Sequence, residues 1–439
     1  MKIFPTYRFF VAGISLIVVL FIGYAIPAIF SLAKGLTLVF LLLAITDIIL
    51  LFFSGGKIVL ERYLPERFSN GDQNDVSFTI LNSFQFRTGI RILDEIPANF
   101  QQRNLELSFS MNPGKQLSKS YVLRPVERGE YHFGKTNVLI NTRLNLIARR
   151  QIFGKEAMVK VYPSFLNLDK YELAAISQNL QMSGQKRMRR IGQSTEFDHI
   201  KEYVVGDDPR HINWKASARR TDLMLNHYVD EKSQPVYSVI DKGRPMKMPF
   251  NEMTLLDYSV NASLVLSNIA IRKGDRAGLI TFQHKPQTFI PAQKRNLQIN
   301  YLLETLYNQQ TQFNEHDFAT LYWFIRQKVK QRSLLLLYTN FESSYSLERQ
   351  LPYLKLINKH HLLVLIFFRN TELDKVIEET SNSTLDVYNK SIAKQIIDEK
   401  QNIRSVLTQN GILSVYTSPE NLNTDVINKY IEIKTKRLL

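Results

Sequence analysis

Two long apolar segments stand at the start of the chain and contrast with the mixed pattern that follows. Residues 9–33 carry no charge, and residues 36–53 carry a single one, on Asp47. An apolar helix of about 20 residues is long enough to cross the hydrocarbon core of a bilayer. The pair therefore predicts a transmembrane hairpin with its turn at Lys34-Gly35. A signal peptide is the alternative for the first segment, but the apolar stretch is too long for one.

The basic residues beside these segments predict the orientation of the hairpin. Lysine and arginine accumulate on the cytoplasmic side of membrane helices. The turn offers only Lys34, whereas cations flank both outer ends, at Lys2, Arg8, Lys57, Arg62 and Arg67. We therefore expect a two-helix protein of the inner membrane with the bulk of its chain in the cytoplasm. For Asp47, near a helix end, we expect local pairing in preference to a functional intramembrane carboxylate.

Residues 57–165 alternate apolar and polar positions in the manner of half-buried strands. Val76-Ser77-Phe78-Thr79-Ile80-Leu81 is one such run, and turn signals such as Asn70-Gly71-Asp72 and Asn112-Pro113-Gly114 separate the strand-like segments. This pattern is typical of an antiparallel β-sandwich. We expect a small immunoglobulin-like domain that acts as a spacer or docking module.

Residues 236–439 alternate strand-like and helix-like segments. Continuous apolar runs at 236–241, 277–282, 333–338 and 362–368 are of the kind that parallel sheets bury on both faces. Helical patterns lie between and after them, at 253–271, 296–307, 317–331, 373–409 in pieces, and 421–434. The C-terminal part is therefore predicted to be a doubly wound α/β domain, which binds ligands at the carboxyl ends of its strands.

The intervening residues 166–235 are polar and contain two basic segments. Lys186-Arg187-Met188-Arg189-Arg190 is interpreted as a solvated loop, with contact to anionic lipid as the alternative. In the second segment, Gly206 permits a turn, Asp208 can cap a helix and Pro209 suits its first turn. Arg210 and Trp214 would then share one helix face. The acids of this segment, Asp207 and Asp208, precede the cations Arg210, Lys215, Arg219 and Arg220, which favours an ion-pair network or binding of a partner's carboxylates.

The whole run from residue 196 to 219, EFDHIKEYVVGDDPRHINWKASAR, resembles the signature of the DUF58 family. The resemblance extends to the order of segments, including the Arg128-Gly129-Glu130-Tyr131 turn and a C-terminal domain similar to von Willebrand factor type A. It implies cooperation with a MoxR-type AAA+ ATPase. The signature positions that would contact a partner or hold the local structure are Tyr203, Gly206, Asp207, Asp208, Arg210, Trp214, Lys215, Ser217, Ala218 and Arg219.

The same resemblance directs attention to the end of the first strand of the C-terminal domain. Von Willebrand A-like domains normally hold magnesium there through a D-x-S-x-S motif. Here the residues are Asp241-Lys242-Gly243-Arg244-Pro245, and Asn340 stands where a second acid is often found. Magnesium requires near-octahedral oxygen ligation, so we expect no metal and no cofactor. Asp241 should instead pair with a cation or cap a helix, and the surface above it would accept a partner's acidic side chain.

Length, composition and charge complete the sequence-based interpretation. The 439 residues suggest two or three folded units, and we divide them into a hairpin (1–56), a β-sandwich (57–165), a linker with the signature (166–235) and the α/β domain (236–439). The net charge is +16, and the chain has no cysteine, which excludes disulfides and a thiol nucleophile. An anionic membrane or an acidic partner explains the charge better than nucleic acid, because no RNA-binding motif is present.

For function, the sequence favours an interaction protein over an enzyme. Asp207, Asp208 and His211, with His199, could serve a metal-independent hydrolase. No P-loop and no nucleophile with its base accompany them, and His360-His361 is interpreted as a loop pair. We expect a non-enzymatic adaptor that links a MoxR-type ATPase to a membrane or envelope client. It would contact lipids through residues 9–53 and bind no nucleic acid.

Overall fold

The protein is described here by a computed structural model. The structure describes residues 3–100, 105–164, 196–220, 222–229, 233–294, 297–309, 311–379, 383–436 and 438. The chain forms two compact units, Met1–Ser164 and Phe165–Leu439. The basic cluster predicted at Lys186–Arg190 lies outside the described residues.

The first unit combines the two apolar helices with the β-rich segment. Its elements are β1 Ile3–Pro5, α1 Tyr7–Ala25, α2 Pro27–Phe53, β2 Ile58–Tyr63, β3 Arg67–Ser69, β4 Asn74–Asn82, β5 Thr88–Asp94, a 3₁₀ turn Ala98–Phe100, β6 Glu106–Met111, β7 Gln116–Leu123, β8 Gly129–Phe133, β9 Thr136–Asn141, β10 Ile147–Phe153 and β11 Ala157–Tyr162.

The hairpin turns at Ile26, and the predicted turn at Lys34-Gly35 is wrong. Ile26 is extended, with φ −132° and ψ 107°, and Pro27 begins α2. Proline lacks an N–H and disfavours a helical conformation in the residue before it, so it separates the two helices. A Cβ at Gly23 would lie 2.9 Å from the backbone nitrogen of Phe30, so the tight approach of the helices requires glycine there.

Both helices are long and apolar enough to cross a membrane, as predicted. In their most apolar windows only 6% and 17% of the residues are buried. Tyr24 is 88% exposed and Phe21 is 81% exposed. A core helix of a soluble domain would bury such side chains, whereas lipid would cover them. The exposed surface of α1 and α2 therefore fits a bilayer better than water.

The strands of the first unit form the predicted antiparallel sheets around one core. Their orders are β1-β10-β9-β5-β6, β2-β4-β7 and β3-β11-β8. Among these neighbours only β3 and β11 are parallel. Val76, Phe78 and Ile80 point inward from β4 and are fully buried, as the alternating pattern requires.

The end of α2 is fastened to this β-rich core. Asp47 is fully buried and accepts hydrogen bonds from the backbone N–H groups of Leu146 (3.1 Å) and Ile147 (2.9 Å) and from the Thr142 hydroxyl. Arg149 donates to the carbonyl oxygen of Leu51 at 2.7 Å. Asp47 is therefore paired, as predicted, but the partners are distant in sequence, 95 to 100 positions away, and not local.

The residues before α1 are fastened to the same strand. In β1, Ile3 pairs with Arg149, Phe4 with Ala148 and Pro5 with Ile147. The N–H of Thr6 continues this pairing with the Leu146 carbonyl at 3.0 Å. Both outer ends of the hairpin therefore meet at β10.

The second unit is the α/β part of the chain. Its elements are β12 Glu196–Glu202, a 3₁₀ turn Pro209–His211, α3 Trp214–Ser217, β13 Met224–Val229, β14 Pro235–Asp241, a 3₁₀ turn Arg244–Lys247, β15 Pro249–Phe250, β16 Met253–Thr254, α4 Leu255–Arg272, β17 Arg276–Phe282, β18 Pro286–Gln293, α5 Leu297–Tyr307, α6 Phe318–Lys328, β19 Leu334–Tyr338, α7 Ser344–His360, β20 Leu362–Phe368, α8 Thr371–Glu378, α9 Thr384–Gln409, β21 Leu413–Thr417 and α10 Leu422–Lys436.

A six-stranded sheet organises this unit, in the order β18-β17-β14-β19-β20-β21. All its neighbours are parallel except the edge strand β18, which runs antiparallel to β17. Every residue of β14 is buried, as expected for a central parallel strand. The chain leaves β14 towards β17 on one side and continues through β19 on the other. This switch places the carboxyl ends of β14 and β19 where such folds bind ligands.

Candidate functional site

The signature residues lie on a separate two-stranded element. β12 and β13 pair antiparallel, with Lys201 opposite Leu225 and Glu202 opposite Met224. The N–H of Tyr203 bonds to the Leu223 carbonyl at 2.8 Å and continues the pairing into the connecting segment. That segment, residues 203–223, carries the signature between the two strands and is called the signature loop below.

The first part of the signature loop is a turn held by Asp207. Its carboxylate forms an ion pair with Lys201 at 2.8 Å and accepts the N–H of Val204 at 3.2 Å. Gly206 has φ +112°, a conformation that favours glycine. One ion-pair partner of Asp207, Lys201, thus precedes the turn.

The prediction of one continuous helix after this turn is wrong. Asp208 caps and Pro209 begins a helical turn, as predicted, but the turn is a 3₁₀ turn that ends at His211. Ile212 is extended and forms a bridge with Leu225. Since this bridge interrupts the helix, Arg210 and Trp214 do not share a helix face.

A second cap restarts the helix at α3. The Asn213 side chain accepts the N–H of Ala216 at 2.9 Å and donates to Asn226 at 2.8 Å. The Ser217 hydroxyl accepts the N–H of Met224 at 2.8 Å. Asn213 was missed as a site residue, although asparagine three positions before Ala216 is an N-cap signal.

Several other side chains of the signature loop are exposed to solvent. Trp214 is 71% exposed and Val205 is 95% exposed. The remaining exposed members of the predicted site are Gly206, Asp208, Arg210, Lys215, Ala218 and Arg219, and Tyr203, Asp207 and Ser217 are half-buried. The loop thus uses Asp207, Asn213 and Ser217 for its own structure and leaves cations and a tryptophan accessible.

The predicted catalytic candidates take part in this local structure. The Asp207 carboxylate holds the turn, and the Asp208 carboxylate accepts the N–H of Arg210 at 3.0 Å. His211 ends the 3₁₀ turn and is half-buried.

The interpretation of His360-His361 as a loop pair is wrong, because His360 is the last residue of α7 and His361 caps it. Burial lowers the pKa of His361 to about 4, as expected for an imidazole removed from water.

At the end of β14, Asp241 is the centre of a buried hydrogen-bond cluster. One carboxylate oxygen accepts the N–H of Gly243 at 2.7 Å. The other contacts Nδ1 of His316 at 2.7 Å and accepts the Thr339 hydroxyl at 2.6 Å. Burial opposes protonation of His316, but its hydrogen bond to Asp241 and the charge of Asp241 raise the pKa of the imidazole overall. Asp241 is therefore paired with a side chain that can carry positive charge.

The residues at this strand end do not fit a magnesium ion of the von Willebrand A type. Both oxygens of Asp241 are occupied by protein groups, and a Cβ at position 243 would lie 3.0 Å from Cβ of His316. His316 thus fills the space next to Gly243. Lys242 is buried, and its amine contacts Gln309 at 3.1 Å. Within the described ranges, no group of three His, Asp or Glu side chains is arranged to hold a metal.

Asn340, two residues after the end of β19, is buried and bonds to a lysine. Lys400 of α9 donates to the Asn340 side-chain oxygen at 2.8 Å and to the Phe341 carbonyl oxygen. Burial lowers the pKa of Lys400 to about 8. Lys400 lies 60 positions from Asn340 in the sequence, and no local pattern predicts their contact.

Comparison with known proteins finds similarity over part of the chain. The family model "Protein of unknown function DUF58" matches residues 199–385, from the signature strand β12 to the start of α9. The protein YeaD of Bacillus subtilis, itself described as uncharacterized, is 27% identical over 192 residues. That match covers 44% of this chain and 46% of YeaD, so the similarity spans about half of each protein. Both findings support a relationship to DUF58 over this part of the chain.

Two similar solved structures each match about a quarter of the chain. A CARDB domain from Pyrococcus furiosus is 12% identical, with a TM-score of 0.18, and the match covers 26% of this chain and 98% of that domain. A fragment of α2-macroglobulin from Escherichia coli is 10% identical, with a TM-score of 0.21 and coverages of 25% and 17%. Likenesses this limited say nothing about function.

Proposed function

We propose that this protein is a membrane-anchored, cytoplasm-facing adaptor that binds a partner protein through its signature loop and catalyses no reaction itself. The observation that carries the proposal is that different residues of the loop hold its structure and face the solvent. Its acids and amides satisfy the loop's own backbone, whereas Trp214, Arg210 and Lys215 are exposed. Tryptophan and arginine are the side chains most enriched among energetically dominant interface residues.

The chemistry of this surface favours an acidic partner. Arg219 and Arg220 follow α3 and are exposed together with Arg210 and Lys215. Cations on one short loop attract carboxylates, and guanidinium groups bind them in two-pronged geometry. The exposed Trp214 would add apolar contact area at the centre of the same surface.

The resemblance described above supports a MoxR-type AAA+ ATPase as this partner. The sheet order of the second unit, with one antiparallel edge strand, supports the interpretation of this unit as a von Willebrand A-like domain. In the proposed mechanism, ATP-driven motion of the partner is passed to a membrane or envelope client held near α1 and α2. These helices would anchor the adaptor in the inner membrane with both outer ends in the cytoplasm.

Site-specific photocrosslinking in intact membranes tests this proposal. A photoreactive phenylalanine derivative replaces Trp214 in the full chain, and crosslinked products are identified by mass spectrometry. The matched control carries the same group at Trp323 in α6, which is 64% exposed and lies outside the signature loop. We expect an AAA+ subunit to be crosslinked from position 214 and not from 323.

The proposal also predicts that removing charge weakens the crosslink. Arg210→Gln combined with Lys215→Gln should reduce the yield of the AAA+ product, because attraction to carboxylates is lost. Recovery of no AAA+ subunit from position 214, or equal recovery from both positions, would count against the adaptor model.

A further inference from the structure

The carboxyl ends of β19 and β20 border a pocket of about 250 Å³. Its walls are mostly apolar and include Leu255, Phe368 and Ile396, and its polar lining includes Asn340, Arg369 and Lys400. The pocket lies at the edge of the sheet where doubly wound folds bind ligands. It is separate from the Asp241 cluster and from the signature loop.

Lys400 supplies an ammonium group to the lining of this pocket. Its amine donates to two neutral oxygens, those of the Asn340 amide and the Phe341 carbonyl. In the parts of the chain that the structure describes, no carboxylate forms an ion pair with it. An ammonium group has three donors, so one remains for a ligand. Lys400 is half-buried, and a cation in such a position with no hydrogen-bonded carboxylate is suited to bind an anion.

The size of the pocket limits what that anion can be. Pockets for drug-sized ligands or nucleotides measure roughly 300–1,000 Å³, so this cavity suits a single residue-sized group. The apolar walls favour an aliphatic or aromatic side chain beside the anionic group. We propose that this pocket binds a carboxylate carried next to one apolar side chain, as in the C-terminal residue of a peptide or a free apolar amino acid.

The rim of the pocket is consistent with this ligand. Arg369 is half exposed and forms an ion pair with Asp374 at 2.9 Å, which orients its guanidinium while leaving other N–H donors. Glu342 also lines the pocket and is exposed. It would repel a carboxylate placed next to it but would accept the N–H of the ligand's own nitrogen.

Calorimetry on the full chain in detergent tests the site without any ATPase. N-acetyl-leucine is the first probe, and leucine amide, acetate and N-acetyl-aspartate are compared with it. We expect N-acetyl-leucine to bind and each of the others to bind at least tenfold more weakly. Leucine amide lacks the carboxylate, whereas acetate and N-acetyl-aspartate lack the apolar side chain. Equal binding of leucine amide and N-acetyl-leucine would overturn the proposal.

Substitutions assign the binding to this pocket. Lys400→Gln should weaken N-acetyl-leucine by about ten- to hundredfold, whereas Lys394→Gln on the exposed face of the same helix should not change it. Ile396→Glu provides a second variant. Ile396 is 36% exposed, so we expect the fold to tolerate a polar side chain there. Unchanged affinity in Lys400→Gln and Ile396→Glu would contradict the assignment.

Two further probes distinguish the sources of the ligand. A pentapeptide ending in leucine should bind more tightly than its amidated form if the pocket reads a peptide terminus. Free leucine should bind more tightly than the pentapeptide if the pocket reads an amino acid. Because neither measurement involves the signature loop or a partner, failure of this site and failure of the adaptor model are separate outcomes.

The affinity should also fall as pH rises. Since burial lowers the pKa of Lys400 to about 8, the free protein loses the ammonium charge above that pH. The other charged groups that face it are Glu342 and Glu399, which favour the charge, and Arg369 with its partner Asp374 at the rim. N-acetyl-leucine should bind more weakly at pH 9.5 than at pH 7, and a pH-independent affinity would contradict a role for Lys400.

Discussion

At the end of β14, a buried carboxylate and a histidine leave no room for a side chain at position 243. The N–H of Gly243 reaches Oδ1 of Asp241 at 2.7 Å, and a Cβ at this position would lie 2.9 Å from the same oxygen and 3.0 Å from Cβ of His316. A serine at this position would place its Cβ against the imidazole. The glycine at position 243 and the position of His316 thus depend on each other.

The contact between His316 and Asp241 should contribute more stability at acidic than at alkaline pH. The pKa of His316 is raised from 6.5 in the folded chain, so its stabilising contribution is complete below 6.5 and is lost as pH rises through the raised pKa. Asp241 and Glu315 favour the charged imidazole, and Arg349 opposes it. Hydrogen exchange at the Gly243 N–H should therefore be slower, after correction for intrinsic rates, at pH 6 than at pH 8.5.

The control for this prediction separates the charge from the hydrogen bond. His316→Gln keeps a donor near Asp241 but has no titration, so its corrected exchange should not depend on pH. His132→Gln, an exposed histidine of the first unit, should behave as the unsubstituted protein. A pH dependence that survives in His316→Gln would assign the effect to another group.

At the scale of elements, α2 is joined to the β-rich core by Asp47, and this joint should be sensitive to a single substitution. Asp47→Ala leaves the N–H groups of Leu146 and Ile147 without an acceptor. Each unsatisfied buried group costs about 1–3 kcal/mol, so we expect the free energy of unfolding of the first unit to fall by about 3 kcal/mol. Thermal unfolding and hydrogen exchange at these two amides measure the loss.

Thr46→Ala is the matched control for this joint. Thr46 is adjacent on α2 but exposed, and its hydroxyl donates only to the Leu43 carbonyl of its own helix. It should leave both amides protected. If Asp47→Ala exchanges as slowly as Thr46→Ala, then the carboxylate does not hold the joint.

The elements show what a local pattern can and cannot specify. The two apolar helices and the buried parallel strands follow from composition and periodicity. The hairpin turn was misplaced because Lys34-Gly35 interrupts hydrophobicity, whereas Pro27 interrupts the backbone, and the backbone determines where a helix ends. The signature loop is predicted to contain one helix because Asp208 is a recognisable N-cap. The structure has two helical turns, and Asn213 caps the second.

At the scale of the whole molecule, the contacts that define the candidate sites join distant parts of the chain. Asp241 and His316 are 75 positions apart, and Asn340 and Lys400 are 60 apart. The sequence specified which residues stand at the strand ends, because the strands themselves could be recognised. It did not specify which helix or loop returns to them, since that depends on tertiary packing.

The absence of cysteine makes the proposed membrane topology directly testable. Tyr24→Cys places a thiol near the turn between α1 and α2, and Val205→Cys places one in the signature loop, both at strongly exposed positions. In intact cells a membrane-impermeant maleimide should label Tyr24→Cys and not Val205→Cys. Permeabilised cells should label both, and labelling of Val205→Cys without permeabilisation would place the signature loop outside.

The pairing of β1 with β10 has a consequence for biosynthesis. β10 lies between β1 and β9 in its sheet, so until Ile3–Pro5 arrive it is an open edge of the kind that pairs with other chains. Those three residues precede α1 but must meet residues 147–149, which the ribosome makes much later. In the proposed membrane topology, closure of the sheet would therefore require both ends of the hairpin to stay on the same side of the bilayer during insertion. Insertion of only one of the two helices would leave the edge of β10 open to aggregation.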